Sequence, residues 1–491
     1  KEVLRQIFDL GFIRKQDLDR SLSEPLNILS ENIKFRAPHF CDYILTCIPN
    51  NDQALTGSIH TTLEYNLQYK IEKLAVNHID SLTKKNITNV SIVVMENSSG
   101  DILAMLGSKD FFDFSIDGQV NGATSLRQPG STLKPFTYAL ALDSGMTAAS
   151  ILADEEIQFQ TPTGSYMPQN YDKKFHGPVR LRKALACSYN IPAVSVLEKI
   201  GMDRLYLKLH EAGFASLKKR PGHYGIGLTL GNGEVTLLEL VQAYSTLSRQ
   251  GSFLPSRSIT HLKGINNADP EELGRSYSKK IFSAQSTYIL THILSDSDAR
   301  IPSFGYNSPL NLPFPCASKT GTSKDFRDNW TIGFTTQYTV GVWVGNFDGQ
   351  PMHNVSGITG CGPLYRDIML LLHKNTSKIE FPRPDRIVTA SICSVSGQLA
   401  ADNCPGSIIE VFAEGNLPSQ FCEIHGDLSL SNQNHPAPED IRFFNNILSV
   451  TFPVHGDVFK LDPILRKEYQ MMKLRAKVRK GFGIKKIEWW L

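Results

Sequence analysis

Two blocks of β-type sequence enclose a long helical block, and this order constrains the fold more than any other feature of the chain. In the first β block, two alternating apolar runs bracket the turn sequence Ser98-Ser99-Gly100-Asp101, which predicts a β-hairpin. Helical spacing dominates from Ser131 to about Leu294, and short strands rich in Trp, Thr, Val and Phe follow over 317–344. Antiparallel strands from both ends of one segment can form a single sheet with helices packed beside it, so we predict an α+β fold.

Composition excludes several classes of protein. Of the 491 residues, 41% are hydrophobic and 20% are charged, which is typical of a globular chain of roughly two to four domains. The formal net charge of +3 provides no strong field that would select a nucleic acid, so we expect no nucleic-acid partner. No apolar run approaches the ~18–20 residues that cross a bilayer. The first residue is not Met and the chain ends on a strand-like sequence, which indicates a fragment trimmed at both ends.

A serine and a lysine three residues apart open the helical block. Ser131 follows Pro129-Gly130, a favourable helix start, where unpaired backbone N–H groups and the helix dipole favour developing negative charge. Lys134 lies one turn along on the same face, and it can act as the base for a serine nucleophile if burial or a second cation lowers its pKa. Ser-x-x-Lys occurs four times in this chain, so a capping serine and a solvated lysine is the alternative for each copy.

A second polar motif, Ser188-Tyr189-Asn190, interrupts an apolar stretch just before Pro192. Buried polar groups need partners, so both side chains should be engaged. Ser188 could relay a proton while Asn190 fixes a substrate amide. Alternatively, the two residues only cap the following helix.

The sharpest motif is Lys319-Thr320-Gly321-Thr322 at the start of the second β block. By composition, a Lys-Thr-Gly-Ser/Thr match is expected by chance only about 0.01–0.02 times in this length. Gly321 allows close approach of another backbone, and an extended peptide could pair with the strand. Lys319 and the hydroxyls of Thr320 and Thr322 could hold a carboxylate, while the N–H groups of Ser131 and Thr322 would form an oxyanion hole. The alternative is a surface strand with a glycine turn.

The three motifs occur in the order known from β-lactamases and penicillin-binding proteins. The chain resembles the penicillin-binding transpeptidases, and among them the class A proteins of the 1C type. Further similar segments extend the resemblance over nearly the whole chain: 36–40, 61–68, 94–107, 175–179, 230–236, 326–328 and 343–345.

The resemblance implies an α/β/α sandwich, in which helices flank a five-stranded antiparallel sheet, followed by a small immunoglobulin-like β domain. The predicted divisions are the tail of an upstream glycosyltransferase domain and linker (1–50), a linker helix region (51–88), the transpeptidase domain (89–380), a Cys-containing linker (381–440) and a truncated C-terminal β-sandwich module (441–491). Only a terminal piece of the glycosyltransferase domain, about 1–26, is expected, so we predict no glycan polymerisation by this chain.

The same resemblance implies a peptidoglycan D,D-transpeptidase. Ser131 would attack the carbonyl between the terminal D-alanines of a stem peptide, and a β-lactam would acylate the same serine. Carried over by motif, Lys134 is the general base, Ser188 the proton relay and Asn190 a ligand of Lys134 and substrate. Lys319, Thr320, Gly321 and Thr322 would form the carboxylate-binding strand. A D,D-carboxypeptidase or β-lactam hydrolase shares these motifs, and a non-catalytic penicillin-binding scaffold is the alternative from another class.

The implied partners are peptidoglycan stem peptides, β-lactams, the membrane through an N-terminal anchor outside this sequence, and envelope proteins through the C-terminal module. The implied location is the periplasmic side of the bacterial inner membrane. Four positions depart from the family pattern: Glu64, Tyr189, and the pair Lys324-Asp325 in place of an aromatic residue and glycine. The last pair lies close enough to the predicted cleft to alter acceptor choice or weaken penicillin binding.

Six of the eight cysteines fall into two sets. Cys187, Cys316 and Cys361 lie in apolar sequence and are interpreted as buried thiols. Cys393, Cys404 and Cys422 lie in loop-rich sequence, and we expect any disulfide to join Cys404 and Cys422. Neither Cys-x-x-Cys nor His-Glu-x-x-His is present, so we predict no metal site and no cofactor, and we interpret His176 as a loop-packing residue.

Overall fold

The computed structural model describes residues 2–23, 35–48, 58–161, 164–263, 278–375, 379–425, 448–453, 472 and 474–478. The chain divides into two compact units, Lys1–Pro38 and His39–Leu491. The first unit contains two short helices, α1 (Glu2–Asp9) and α2 (Lys15–Ser23).

The remaining helices are α3 (Pro38–Cys47), α4 (Tyr65–Ser81), α5 (Lys134–Asp143), α6 (Leu181–Ala186), α7 (Asn190–Ile200), α8 (Met202–Glu211), α9 (Pro221–Tyr224), α10 (Leu237–Ser248), α11 (Ala284–Ser295), α12 (Ser297–Phe304), α13 (Gly357–Gly360) and α14 (Gly362–Leu372). The strands are β1 (Ser58–Thr61), β2 (Asn89–Glu96), β3 (Ile102–Leu106), β4 (Ile151–Asp154), β5 (Phe159–Thr161), β6 (Gly164–Tyr166), β7 (Gly177–Arg180), β8 (Ser252–Phe253), β9 (Ile259–Lys263), β10 (Lys279–Lys280), β11 (Ala317–Thr322), β12 (Asp328–Phe334), β13 (Tyr338–Gly345), β14 (Ile387–Cys393), β15 (Ser407–Ala413), β16 (Leu448–Phe452) and β17 (Arg475–Val478). Among the described residues, no helix is both long and apolar enough to cross a bilayer.

A five-stranded antiparallel sheet with the order β11-β12-β13-β2-β3 forms the centre of the second unit, as the sequence predicts. The pairing of β13 with β2 brings the two β blocks together across the helical block. This topology leaves β11, which carries the Lys-Thr-Gly motif, at one edge of the sheet. An edge strand has backbone N–H and C=O groups free for an added peptide.

Helices cover both faces of this sheet. On one face, α4 and α14 pack against alternating valines and isoleucines of β2 and β13, such as Ile92 and Val342, in one large buried cluster. On the other face, Leu237 and Val241 of α10 lie so close to Gly341 that a side chain there would clash. Because both faces of β2 and β13 are buried, the sequences of these strands are nearly continuous apolar runs.

Threonine is a favourable helix N-cap residue, so the sequence Thr61-Thr62 predicts a cap for the linker helix, but this prediction is wrong. The helix α4 begins at Tyr65 after Glu64, and no side chain caps it. Instead, the Thr62 hydroxyl donates a 2.7 Å hydrogen bond to the carbonyl oxygen of Ile102 in β3. The threonine therefore anchors the chain to the sheet, because a strand carbonyl competes successfully for the hydroxyl that the sequence pattern assigned to the helix.

After the sheet domain, β14 and β15 form an antiparallel hairpin with continuous register from Ile387–Ala413 to Cys393–Ser407. Glu410 of β15 is fully buried and accepts hydrogen bonds from Arg182 of α6, with distances of 2.8 Å from Nε and 2.5 Å from Nη2. Arg182 also donates to Asp296 at 3.0 Å. Buried charges of this kind must be paired, so the hairpin is fixed to the helical block through these groups.

The expected disulfide between Cys404 and Cys422 is absent, since both residues are free thiols. Both lie in one cluster with Cys393 and His425. Of the C-terminal module, only β16 and β17 are described, and they pair with each other. Most residues of the predicted immunoglobulin-like module lie outside the described residues, so that module and the predicted domain boundaries stay predictions.

Candidate active site

Ser131 lies in a short 3-10 turn, Gly130–Leu133, that leads directly into α5. Gly130 has a positive φ of 56°, and a Cβ built there would lie 2.6 Å from the carbonyl oxygen of Thr322. Only glycine fits this position, because a side chain would separate the turn from β11. The prediction that Ser131 stands at the start of the helical block is thus confirmed, and the turn rests on the backbone of the Lys-Thr-Gly strand.

Gly321 provides the second close backbone approach. A Cβ on Gly321 would collide with the carbonyl oxygen of Pro129, while Gly357 of α13 lies against the other side of the same glycine. The Thr322 hydroxyl accepts a 3.0 Å hydrogen bond from the backbone N–H of Gly357, so its own hydrogen is left to donate. The motif thus presents an oriented hydroxyl at the edge of the sheet.

Lys134 is fully buried at the first turn of α5. Its Nζ donates hydrogen bonds of 2.6 Å to the Ser188 carbonyl oxygen and 2.6 Å to Asn190 Oδ1, and lies 3.4 Å from Ser188 Oγ. Burial, followed by the charge of Lys319, lowers the pKa of Lys134 well below its usual range, against a smaller opposing effect of Asp154. These conditions favour the neutral amine that a general base requires.

Lys319 approaches Ser188 from β11. Its Nζ donates a 2.7 Å hydrogen bond to Ser188 Oγ and a 2.9 Å bond to the Thr320 carbonyl oxygen. Burial and the charge of Arg300 lower the pKa of Lys319 to about 7. The Ser188 hydroxyl therefore lies between two buried amines, one from α5 and one from the sheet edge.

Ser188 has a backbone conformation that is unusual for its residue type. Its φ of 62° is in the left-handed region, which non-glycine residues seldom adopt outside turns and functional sites. The conformation is held locally, since the Ser188 N–H bonds the Leu185 carbonyl at 3.0 Å and the Ser188 carbonyl accepts from Lys134. The turn thereby directs the carbonyl group of Ser188 to Lys134 and the hydroxyl group of Ser188 to both Lys134 and Lys319.

A supporting network behind Asn190 is not predicted by the three motifs. Asn170 accepts a 2.8 Å hydrogen bond from the backbone N–H of Asn190, and its amide donates to both carboxylate oxygens of buried Asp154 at 2.8 Å. His176 bonds Asp154 through Nδ1 at 2.5 Å and stacks on Tyr189 with ring centroids 4.1 Å apart. His176 is thus more than a loop-packing residue, because it links Asp154 to the Ser188–Asn190 turn.

The sequence offered little that would reveal this network. Asp154 and Asn170 belong to β4 and to a loop, and neither falls in a recognisable motif. The only signal is the segment 175–179, which takes part in the family resemblance.

The structure brings the predicted residues together to different degrees. Lys134, Ser188, Asn190 and Lys319 form one hydrogen-bonded group, and the backbone of Gly321 and Thr322 contacts the turn of Ser131. Along β11, Thr320 and Thr322 alternate with Lys319, so their hydroxyls can reach a ligand only at the strand edge. Among the described residues, the Ser131 hydroxyl makes no hydrogen bond.

Two loops beside the site meet through aromatic rings. Tyr171, next to Asn170, contacts Phe326 edge to face with centroids 6.3 Å apart. Phe326 follows the departure Lys324-Asp325, where Asp325 has a positive φ of 60°. The unusual pair therefore forms a tight turn just after β11.

Comparisons with known proteins agree with this geometry. Residues 90–369 match the family described as penicillin binding protein transpeptidase domain, and residues 383–427 match the penicillin-binding protein 1A, C-terminal domain. Penicillin-binding protein 1C of Escherichia coli (strain K12) is 30% identical over 422 residues, which are 85% of this chain and 51% of that protein. Penicillin-binding protein 1B of Vibrio cholerae is 30% identical over 343 residues, which are 67% of this chain and 42% of that protein. The chain spans about half the length of the curated relatives it matches.

Solved structures share the fold. The crystal structure of penicillin-binding protein 1A from Haemophilus influenzae superposes with a TM-score of 0.66 at 19% identity, covering 86% of this chain and 82% of that one. PonA1 of Mycobacterium tuberculosis in complex with penicillin V gives a TM-score of 0.59 at 19% identity, with coverages of 74% and 96%. With the matched segment covering more than half of its residues, the chain belongs to the penicillin-binding protein transpeptidase family.

Proposed function

We propose that this chain is a serine D,D-transpeptidase that cross-links peptidoglycan stem peptides and is acylated by β-lactams. The observation that carries the proposal is the position of one hydroxyl, Ser188 Oγ, between the buried amines of Lys134 and Lys319. The turn that bears Ser131 lies against the strand of Lys319. This arrangement combines a nucleophile, a base and a proton path in one buried site.

The base is a neutral lysine with its hydrogen bonds already assigned. A neutral amine has two N–H donors and one lone pair, and the two donors of Lys134 are directed to the Ser188 carbonyl and to Asn190. The remaining lone pair would accept the proton of the Ser131 hydroxyl, which makes no hydrogen bond among the described residues and has to approach Lys134 for this step. Lys134 therefore needs no rearrangement of its partners to act as general base.

In the acylation step, Ser131 Oγ forms a bond to the carbonyl carbon between the two terminal D-alanines while its proton passes to Lys134. The oxyanion is stabilised by the N–H groups of Ser131 and Thr322, whose backbones are neighbours through Gly130. The carbon–nitrogen bond then breaks, and Ser188 passes a proton from the lysine to the leaving amine. D-alanine leaves, and an ester to Ser131 remains. With a β-lactam, the same attack opens the ring amide.

The terminal carboxylate of the stem peptide would bind next to two buried basic residues, Lys319 and Arg300. Lys319 is buried beside Arg300, and a bound carboxylate would favour the charged form of Lys319. The hydroxyls of Thr320 and Thr322 would donate to the same carboxylate, while the extended peptide pairs with the free edge of β11.

In the second step, an amino group of a neighbouring stem attacks the ester, forms the cross-link and restores Ser131. Water in place of the amine would make the chain a D,D-carboxypeptidase or β-lactam hydrolase. The relatives act on the cell wall outside the cytoplasm, and we propose attachment to the periplasmic face of the inner membrane through a segment outside this sequence. A glycosyltransferase activity would belong to that longer protein, and contacts with envelope proteins would involve the C-terminal module.

Covalent trapping tests the proposal. The purified chain is incubated with a β-lactam and its intact mass is measured, in parallel with Ser131→Ala and with Ser81→Ala. Ser81 belongs to another Ser-x-x-Lys copy, is exposed at the end of α4, and is therefore a matched control. We expect one adduct on the wild type and on Ser81→Ala, and none on Ser131→Ala. A folded wild-type chain without an adduct would favour the non-catalytic scaffold.

Product analysis separates the transferase from the hydrolase. The chain is supplied with a labelled stem peptide and an amine acceptor, and the products are resolved by mass. We expect a cross-linked dimer with release of D-alanine. Formation of the shortened free acid alone would replace the transpeptidase by a carboxypeptidase.

A further inference from the structure

Three cysteines and one histidine converge beside the β14–β15 hairpin, outside the site described above. The potential ligand atoms of Cys393, Cys404, Cys422 and His425 all lie within 4.8 Å of one another. His425 Nδ1 is 3.3 Å from Cys422 Sγ and 3.6 Å from Cys393 Sγ. In a tetrahedral zinc site with bonds of about 2.0–2.3 Å, neighbouring ligand atoms lie about 3.3–3.8 Å apart. The cluster thus needs only a small contraction to surround one ion.

The backbone brings the four residues together from separate parts of the segment. Cys393 ends β14, Cys404 belongs to the connection to β15, and Cys422 and His425 follow β15. After β15, the chain pairs with the connection between β14 and β15, since the N–H of Cys422 donates a 2.8 Å hydrogen bond to the Leu399 carbonyl oxygen. The N–H of Cys393 bonds the Gln398 carbonyl at 2.8 Å. The convergence is therefore fixed by backbone hydrogen bonds, independently of any disulfide.

Donors to sulfur provide an independent indication of metal ligation. The backbone N–H of Val395 donates a 3.4 Å hydrogen bond to Cys393 Sγ. Hydrogen bonds to ligating groups orient them and stabilise the thiolate form that a metal requires.

The segment has a small apolar core. Among the described residues, its buried cluster consists of Ile392 and Phe412 together with Ala149, which precedes β4, and a few partly buried neighbours. An isolated two-stranded hairpin is marginally stable in water, and small units often rely on a disulfide or a metal.

We propose that Cys393, Cys404, Cys422 and His425 bind one structural Zn²⁺ ion. Three thiolates and an imidazole are ligands that zinc prefers, and four protein ligands leave no open position for catalysis. Binding releases the three thiol protons to solvent while four bonds to the ion form. Oxidation of two of the thiols to a disulfide would remove two ligands, so zinc and a disulfide exclude each other at this site.

Metal analysis of the purified chain tests the proposal. The chain is produced with zinc in the medium, kept reduced, desalted and analysed by elemental mass spectrometry and native mass spectrometry. We expect about one zinc per chain in the wild type, near zero in Cys422→Ser, and retention in His425→Cys, which restores a fourth ligand. Cys47→Ser, at the end of α3 and outside the cluster, should keep its zinc.

Cobalt provides a second readout that does not depend on activity. Co²⁺ added to the metal-free chain should give the intense visible bands of a tetrahedral thiolate-rich site, and these bands should be lost in Cys393→Ser. β-Lactam acylation of Ser131 reports in each variant whether the sheet domain has folded. An acylated wild type with three free thiols and no bound metal would overturn the proposal, as would a mass lower by two hydrogens from a disulfide within the cluster. Unchanged zinc in Cys422→Ser would overturn the ligand assignment.

Discussion

The central sheet and the β14–β15 hairpin are both antiparallel, but different forces hold them together. The sheet is covered by helices on both faces, and β2 and β13 are almost entirely buried. In the hairpin only one face is covered, and Ile409 remains 72% exposed. Burial of apolar surface stabilises the sheet at about 25 cal/mol per Å², whereas the hairpin depends on an ion pair and on the proposed metal.

The two regions also bury charge for different purposes. The sheet domain buries Lys134 and Lys319, and this burial lowers the pKa of both amines, with the charge of Lys319 adding to the effect on Lys134 and the charge of Arg300 adding to the effect on Lys319. The hairpin buries Glu410 against Arg182, and this pairing outweighs burial and lowers the pKa of Glu410. A large apolar core can tolerate ionisable groups whose charged form is disfavoured by burial. Such groups can act as bases or pass protons in catalysis. A small core requires each buried charge to be matched.

The largest expected effect follows from removing the base. Lys134→Ala should lower the rate of acylation by a β-lactam about 10²–10⁴-fold, because general-base catalysis is lost, while the circular dichroism spectrum stays unchanged. Lys84→Ala, in the exposed Ser-x-x-Lys copy, is the control and should acylate normally. Equal rates for Lys134→Ala and the wild type would remove Lys134 from its assigned role.

The junction between the two regions should be the next most sensitive point. Glu410→Gln should lower the free energy of unfolding in urea by about 3 kcal/mol, because it leaves a buried guanidinium only partly paired. Asp80→Asn breaks the exposed pair of Asp80 with Lys109 and should cost less than about 1 kcal/mol. Similar losses for the two variants would contradict the distinction between the two regions.

Removal of zinc should affect only the hairpin. At a free zinc concentration about 100 times its Kd, bound metal stabilises the hairpin by about 2.7 kcal/mol, so stripping it should accelerate local amide exchange about 100-fold. Hydrogen exchange should show this for the N–H groups of Cys393 and Cys422, with β2 and β13 unchanged. Equal acceleration in the sheet would show that the two regions unfold together.

The smallest expected effect is a pH dependence of the sheet domain. Lys319 has a folded-state pKa of about 7 and an unfolded-state pKa near its ordinary value of about 10.4. Between these values the unfolded chain binds more protons, so the free energy of unfolding should rise with pH by at most about 1.4 kcal/mol per unit for this residue. Below pH 7, Lys319 is charged in both the folded and the unfolded state, so the free-energy cost of burying its charge is fully present.

Lys319→Met should flatten this slope in urea unfolding measured from pH 7.5 to 9.5. Lys279→Met is the control, because Lys279 is exposed on β10 and should leave the slope unchanged. An identical slope in wild type and Lys319→Met would mean that the folded state keeps this lysine charged.

The fold class and most residues of the candidate site could be predicted from the sequence. The site residues lie in short motifs whose residue types are suited to few kinds of chemistry. Lys319-Thr320-Gly321-Thr322 is rare by composition, and the order of the three motifs predicts their convergence. The hydroxyl of Thr62 shows the limit of local reasoning. It is placed well for a helix cap, but the tertiary structure offers the Ile102 carbonyl instead.

Residues that act through others were not predictable in the same way. Asp154, Asn170 and His176 support the Ser188–Asn190 turn through contacts that exist only once the loops are folded. The sequence groups Cys393, Cys404 and Cys422, but it does not show that His425 joins them, because the irregular spacing of 393, 404, 422 and 425 matches no metal-binding motif and only backbone pairing brings the four residues together.

The left-handed backbone of Ser188 restricts which amino acids evolution or engineering can place there. Threonine has the same hydroxyl, but its branched Cβ is strongly disfavoured at φ near 60°. Glycine and asparagine adopt this conformation readily, yet neither has a hydroxyl between the two amines. Chemical similarity and conformational tolerance therefore favour different substitutes at residue 188, and serine provides the hydroxyl without a branched Cβ.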